Sequence, residues 1–249
     1  MWTIQPVTIP ASRMSLSHFA FRQESGPENM ATDRWLLEMA EQWSGPAFRR
    51  YGWDKPQFTF GYGQKAAWVE NESGQPLNQL TRRPTGGGIV AHGTDLTYCM
   101  ILPRGSLGEQ MAPMEFYGLL HQRWGEALAE HDISSSLMPC PQQSRSRIPG
   151  DCFKEPVGRD LMDGEGMTKL AGAAMKRTRK GVLIQGTLEL AKWPDLDHGE
   201  LEENFLQRMA RDLEESIGTV EWSQEMTTER QSWVNIFSSL GWTRDRKSH

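Results

Sequence analysis

Three features of this 249-residue chain carry groups suited to acyl or anion chemistry: Cys152, Lys169, and the run Arg82-Arg83-Pro84-Thr85-Gly86-Gly87-Gly88-Ile89-Val90-Ala91-His92-Gly93. A thiol attacks carbonyls only as thiolate, and at an ordinary pKa of about 8.5 only ~3% is ionised at pH 7. A nearby lysine or a nest of backbone amides that lowered the pKa to ~7 would raise that fraction roughly fifteen-fold. The alternative for an isolated cysteine is an idle buried thiol. Lys169 heads the run Leu170-Ala171-Gly172-Ala173-Ala174. A strand so depleted of bulk lets a ligand or another element pack closely on it, and alternation predicts Lys169, Ala171 and Ala173 on one face. The alternative there is a solvated strand edge. Consecutive glycine amides can turn toward one anion or carbonyl, with Arg82 and Arg83 adding positive charge. The alternative for that run is a β-hairpin turn with solvated arginines.

The other candidates are weaker. Cys99 sits in an apolar strand and reads as core, while Cys140, between two prolines, reads as an exposed bystander. Three cysteines without a Cys-x-x-Cys pair, and six histidines without ligand spacing, point to neither a disulfide framework nor a metal site. A reducing, cytoplasmic setting follows. Net charge −5 and pI ≈ 5.7 argue against nucleic acid as a general partner. A mean hydropathy of −0.60 with no long apolar run argues against a membrane span.

The elements that must position these groups follow from periodicity. Residues 1–20 read as a strand or loose arm. Helical spacing from Met30 to Trp43 predicts a helix capped by Asn29 and ended by Gly45-Pro46. Aromatics alternating on both sides of Asp54-Lys55-Pro56 predict two antiparallel strands. Residues 64–72 suggest a helical turn. Strands are predicted over Gln79–Arg83, Gly88–His92 and Asp95–Leu102, and a second long helix over Pro113–His131. Residues 139–151 are polar and proline-punctuated, which predicts a mobile loop. Strands over Val157–Met162 and Thr168–Arg177 flank the turn Asp163-Gly-Glu-Gly166, and Val182–Leu190 is another. Residues 199–216 predict a third helix, and residues 220–249 a helical tail that frays from Thr243. A regular hairpin about 163–166 would set Lys169 opposite Asp160 and leave Cys152 ~26 Å farther along an extended strand. The two can meet only if residues 150–156 bend back, for which Pro156 is the suited residue.

Together, Glu28–Asp33, Tyr51-Gly-Trp53, Phe58–Gln64, Arg82–His92, Asp95–Tyr98 and Lys169–Ala174 resemble the lipoate–protein ligase and octanoyltransferase family, over about residues 18–215. The resemblance implies an α/β (α+β) fold of the class II aminoacyl-tRNA synthetase and biotin–lipoyl ligase type. One catalytic domain would span 1–249, its bent mixed sheet flanked by helices and holding an acyl chain in a tunnel. It implies Cys152 and Lys169 as catalytic residues. Arg82, Arg83, Thr85, Gly86, Gly87, Gly88, His92, Ala171, Gly172, Ala173, Gly186 and Thr187 would be substrate-binding.

Two chemistries divide that family. Ligases activate free lipoate or octanoate with ATP and magnesium. Transferases need no cofactor and move octanoate from octanoyl-acyl carrier protein through a cysteine thioester. The acceptor is a lysine on a lipoyl domain of a 2-oxoacid dehydrogenase or on the glycine-cleavage H protein. Cys152-Phe153, with Pro156 four positions on, is similar to the transferase nucleophile segment and favours transfer. Two departures stand out: the triple glycine is closer to ligases, and Gln185-Gly186-Thr187 replaces the usual His-Gly-Thr or His-Gly-Ser. Glutamine hydrogen-bonds but cannot shuttle a proton. A non-catalytic acyl-binding relative is a further alternative.

Overall fold

The computed structural model describes residues 15–140 and 150–248, so residues 1–14 of the arm read over 1–20 and most of the loop read over 139–151 lie outside the described residues. The chain opens with β1 (Ser15–Glu24) and α1 (Gly26–Glu38), then β2 (Ala47–Trp53), β3 (Gln57–Phe60) and α2 (Ala66–Ser73). Next come β4 (Leu80–Arg82), β5 (Val90–His92), β6 (Leu96–Pro103), α3 (Leu107–Gln110), α4 (Pro113–Ala129) and β7 (Ser135–Leu137). The second half holds β8 (Leu161–Asp163), β9 (Lys169–Arg177), β10 (Gly181–Leu188), α5 (His198–Asp212), β11 (Ser216–Val220), α6 (Gln224–Glu229), α7 (Gln231–Phe237) and α8 (Leu240–Asp245).

An eight-stranded mixed sheet runs β11-β1-β2-β6-β10-β9-β8-β7, and a three-stranded sheet runs β4-β3-β5. The central strands β6 and β10 are buried throughout because both faces of the large sheet are covered. Leu96, Tyr98, Met100 and Leu102 of β6 face α4 and α5, where Trp124 and Phe205 stack with centroids 3.8 Å apart. Cys99 and Ile101, on the alternate positions, face α1 and the C-terminal helices. The same alternation sends Val182, Ile184 and Leu188 of β10 to the first face and Leu183 to the second. Gln185 and Thr187 continue the α1-side parity, and there the cavity opens. Among the described residues no helix is long and apolar enough to cross a membrane.

Several local expectations are corrected. The first helix starts one turn earlier than periodicity suggests, because Ser25 and Glu28 form a capping box with Pro27 in the first turn. Asn29 is therefore no cap; its buried amide donates to the carbonyls of Glu24 (3.2 Å) and Gly52 (2.9 Å). The helix also ends at Glu38 rather than Trp43, giving way to a 3-10 turn over Ala40–Gln42. β2 and β3 do not pair with each other. β2 lies parallel to β1 and antiparallel to β6, while β3 crosses to the small sheet. Both faces of β2 are buried, so it takes distant partners on both edges, which local alternation does not reveal. The third helix stops at Asp212, with Glu214 in the left-handed region (φ 58°), and β11 follows along β1. The tail does not fray at Thr243, which is buried with Trp242 inside α8.

Candidate functional site

The glycine run is not a hairpin turn. Its flanking strands β4 and β5 both pair with β3, on opposite edges, so the run crosses over the end of that strand. Arg83 shapes it from within: Nη2 donates to the carbonyls of Gly86 (3.0 Å) and Gly88 (2.8 Å), and Nη1 to Thr59 Oγ1 (2.7 Å). Gly87 lies at φ 87°, where a Cβ would also sit 3.2 Å from both Arg83 Nη2 and Cys152 Sγ. Only glycine meets both conditions comfortably. Gly88 N–H then points at Cys152 Sγ, 2.9 Å away.

The cysteine segment is fastened to this loop by main chain. Ile89 N donates to Gly150 O (2.9 Å) and Cys152 N to Ile89 O (3.1 Å). The return of residues 150–156 is held by carboxylates at its two ends. Asp151 Oδ1 accepts from Phe153 N (2.9 Å), and Asp160 Oδ2 accepts from Val157 N (2.7 Å). Because that turn consumes residues 157–160, β8 begins only at Leu161 instead of the predicted Val157.

Lys169 thereby meets Cys152. Its Nζ donates to the Cys152 carbonyl (2.9 Å) and pairs with Asp160 Oδ2 (2.8 Å), with the Phe153 ring 5.6 Å away. Asp160 is fully buried and takes a 2.5 Å hydrogen bond from Tyr117 Oη, which in turn accepts from Ala173 N (3.1 Å). The register departs from a regular hairpin: Met162 pairs with Lys169 and Leu161 with Ala171, so Leu170 is the extra residue of a β-bulge. The bulge flips the parity of β9. Lys169 shares its face with Gly172, where a Cβ would fall 2.5 Å from Lys169 Nζ, and the predicted grouping with Ala171 and Ala173 is corrected. Both alanines pack against the α4 side of the sheet.

Together these groups frame a cavity of about 500 Å³, open mouth included. Met30, Tyr51, Trp53, Val90, Phe153 and Ala174 supply its apolar wall, and Thr97, Gln185 and Thr187 its polar points. Of the expected binding residues, Arg83, Gly87, His92, Gly172, Ala173, Gly186 and Thr187 line it beside Cys152 and Lys169. His92 uses both ring nitrogens, on Asp95 Oδ2 (2.7 Å) and Thr59 Oγ1 (2.8 Å), and stacks on Trp53 at 4.1 Å. Burial alone would raise the Asp95 carboxyl; His92 and the Thr187 and Thr97 hydroxyls outweigh it and hold that carboxyl well below its ordinary range. Burial pulls the Arg83 guanidinium down, and the nearby Cys152 sulfur opposes that pull.

Four expected residues stand elsewhere. Arg82 turns away from the cavity, as strand alternation beside Arg83 requires, and donates to the carbonyls of Tyr62 (2.7 Å), Gln64 (2.7 Å) and Thr243 (2.9 Å). Ala171 is core. Gly86 borders a neighbouring hollow, and Thr85 is buried with its Oγ1 donating to Gln185 Oε1 (2.6 Å). The Gln185 amide is engaged at both ends, since Nε2 donates to Asp33 Oδ2 (2.6 Å). Asp33 also accepts from Arg49 Nε (2.7 Å) and Tyr51 Oη (3.2 Å). Asp160, Tyr117, Asp33 and Arg49 carried no assigned role in the sequence. Asp33 and Asp95 lay inside segments of the resemblance, whereas nothing local marked Tyr117. Cys99 is buried and Cys140 exposed, as expected. Among the described residues no three His, Cys, Asp or Glu side chains are grouped to hold a metal ion.

Residues 25–198 match the lipoyl protein ligase A/B catalytic domain, and the chain belongs to that family. The chain is similar to octanoyltransferase LipM of Halalkalibacterium halodurans, 31% identical over 186 residues, covering 71% of this chain and 65% of that one. It is also similar to octanoyltransferase LipM of Brevibacillus brevis, 30% identical over 226 residues (84% and 79%). The first of these alignments thus spans just under two thirds of the relative's length. In fold, the chain resembles a lipoate-protein ligase A bound with ATP (TM-score 0.70, 16% identity, 93% of this chain and 99% of that one). A Thermoplasma acidophilum lipoate protein ligase with its E2 lipoyl domain is similar at TM-score 0.66 and 14% identity, covering 94% of this chain and 97% of that one.

Proposed function

We propose that this chain is a cytoplasmic octanoyltransferase that carries the acyl group on Cys152. The observation that supports this most directly is the Gly88 amide 2.9 Å from Cys152 Sγ, with Lys169 on the same residue's carbonyl, beside a largely apolar cavity. In the first step the Cys152 sulfur attacks the carbonyl of octanoyl-acyl carrier protein. A new C–S bond forms, the carrier's C–S bond breaks, and the carrier leaves as a thiol with the proton Cys152 gives up. Lys169 and the loop amides face the oxygen on which charge develops, and loss of one such donor typically costs about 3 kcal/mol. In the second step the neutral amine of an acceptor lysine attacks the thioester, an amide forms, and Cys152 is released.

The acceptor in this reading is a lipoyl domain or the glycine-cleavage H protein. Burying ~6 methylenes at ~0.8 kcal/mol each gives about 5 kcal/mol of acyl binding. Gln185, tied to Asp33 and Thr85, acts as a fixed strut and carries no proton in this scheme.

Mass spectrometry of the chain after incubation with octanoyl-acyl carrier protein tests the reading. One octanoyl group should appear on Cys152, labile to hydroxylamine, and then move to an added lipoyl domain or H protein. The ATP-dependent ligase reading predicts instead that Cys152→Ser stays active with octanoate and ATP and releases pyrophosphate. Activity without any Cys152 adduct would overturn the thioester route.

A further inference from the structure

One carboxylate joins the two reactive segments. Asp160 Oδ2 accepts from Val157 N (2.7 Å), closing the return of the Cys152 segment, and pairs with Lys169 Nζ (2.8 Å) on β9. Its other oxygen, Oδ1, is held by Tyr117 Oη of α4, which accepts in turn from Ala173 N (3.1 Å). The chain bends sharply to put the carboxylate there. Arg159 sits in the left-handed region (φ 70°), a strained conformation for a residue with a long side chain. Arg159 N donates to Met138 O and Met138 N to Asp160 O (both 2.8 Å), and His121 Nδ1 lies 2.8 Å from Arg159 O. Strain so firmly held beside reacting groups points to a positioned side chain.

What Asp160 fixes is the direction of an ammonium. A lysine head group carries three N–H donors. Among the described residues two of them are taken, by Asp160 and by the Cys152 carbonyl (2.9 Å). The third is left for the cavity that Lys169 lines together with Cys152. Gly172 leaves room for the head group, since a Cβ there would stand 2.5 Å from Nζ and 3.3 Å from Asp160 Oδ1. The carboxylate is wholly buried and Lys169 nearly so, which keeps the pair from exchanging with water. A donor aimed in advance at developing charge needs no reorganisation when the charge appears.

We infer that Asp160 and Tyr117 are positioning residues for acyl transfer: the carboxylate, steadied by the phenol, aims the free Lys169 N–H at the acyl oxygen beside Cys152. The inference rests on the thioester-transfer reading and adds to it two residues that touch no substrate.

Two reactions at Cys152 test it. Octanoylation by octanoyl-acyl carrier protein builds charge on a carbonyl oxygen, whereas alkylation by iodoacetamide displaces iodide and builds none there. Peptide mass separates Cys152 from the exposed Cys140 in both. Asp160→Asn should lower the octanoylation rate at saturating donor roughly a hundredfold, the size of a misplaced catalytic group, with KM little changed. Tyr117→Phe removes only a hydroxyl and keeps the ring in place; it should lower the same rate about tenfold, the loss of one hydrogen bond to a charged group. Alkylation of Tyr117→Phe should keep the parent rate, which also shows that the Cys152 segment is folded. Octanoylation unchanged in Tyr117→Phe, a loss carried by KM alone, or an equal loss in both reactions overturns the inference. A parent chain that is alkylated at Cys152 but never octanoylated overturns the thioester reading itself.

Discussion

Gly87 and Gln185 are two residues on which the site's geometry turns. Gly87→Ala would place a methyl 3.2 Å from both the sulfur and Arg83 Nη2, at a backbone angle costing about 1–2 kcal/mol for an alanine. We expect at least a tenfold fall in Cys152 acylation with a small loss in melting temperature; an unchanged rate would show that the loop does not set the sulfur's surroundings. Gln185→Leu leaves Asp33 and Thr85 without their shared partner, which should cost about 1–3 kcal/mol in denaturant unfolding. Gln185→His should recover part of that stability and bring in a titration near pH 6.5 that the glutamine chain lacks. A rate profile of that variant identical to the parent's would argue that residue 185 has no link to the loop. Some of this was legible beforehand. The reactive types, the loop and the odd glutamine could be named from the sequence, because each announces itself by chemistry. That Thr85 donates to Gln185 could not, since the two are 100 positions apart.

At the scale of elements, α4 carries a pH-sensitive group that the proposed chemistry does not use. His121 is wholly buried, its Nδ1 2.8 Å from Arg159 O, and burial lowers its pKa to about 4. As pH falls, the unfolded chain takes up this proton first, so the folded state loses stability between about pH 6.5 and pH 4. A shift of that size corresponds to about 3 kcal/mol. Unfolding free energies measured from pH 7 to pH 4 should fall less steeply in His121→Gln; parallel curves would refute the assignment. Three of the elements that sequence periodicity misplaced share one cause. β2, β11 and the bulge in β9 are decided by partners far along the chain, and a one-residue slip at Leu170 changes which side chains share a face with Lys169. Helices such as α4 and strands such as β6 and β10 were recoverable because their own side chains fill the interior.

Across the whole molecule, the C-terminal helices are tied into the sheet by buried polar links. Arg230 forms a two-pronged pair with Glu24 at the end of β1, and Trp222 Nε1 donates to Ala20 O (2.7 Å). Arg230→Met should therefore be destabilising, by about 3 kcal/mol, because it removes the nearest cation of buried Glu24 and leaves it only Arg22 and Arg49 at 3.7 and 3.9 Å. Calorimetry checks this directly: a change below ~1 kcal/mol would mean the tail is only loosely joined. The family resemblance covered about residues 18–215, and the tail's grip on the sheet was outside what any of those segments encode.

Adjacent arginines at the end of β4, Arg82 and Arg83, point in opposite directions. Arg83 holds the carbonyls of the loop that faces the sulfur, while Arg82, one residue earlier, holds a carbonyl in α8 some 161 positions downstream. Helix α8 is thus a mechanical neighbour of the reacting centre. A protease cut, a bulky label or a charge placed in that helix should register first as a slackening around the thiol, before any general unfolding is seen.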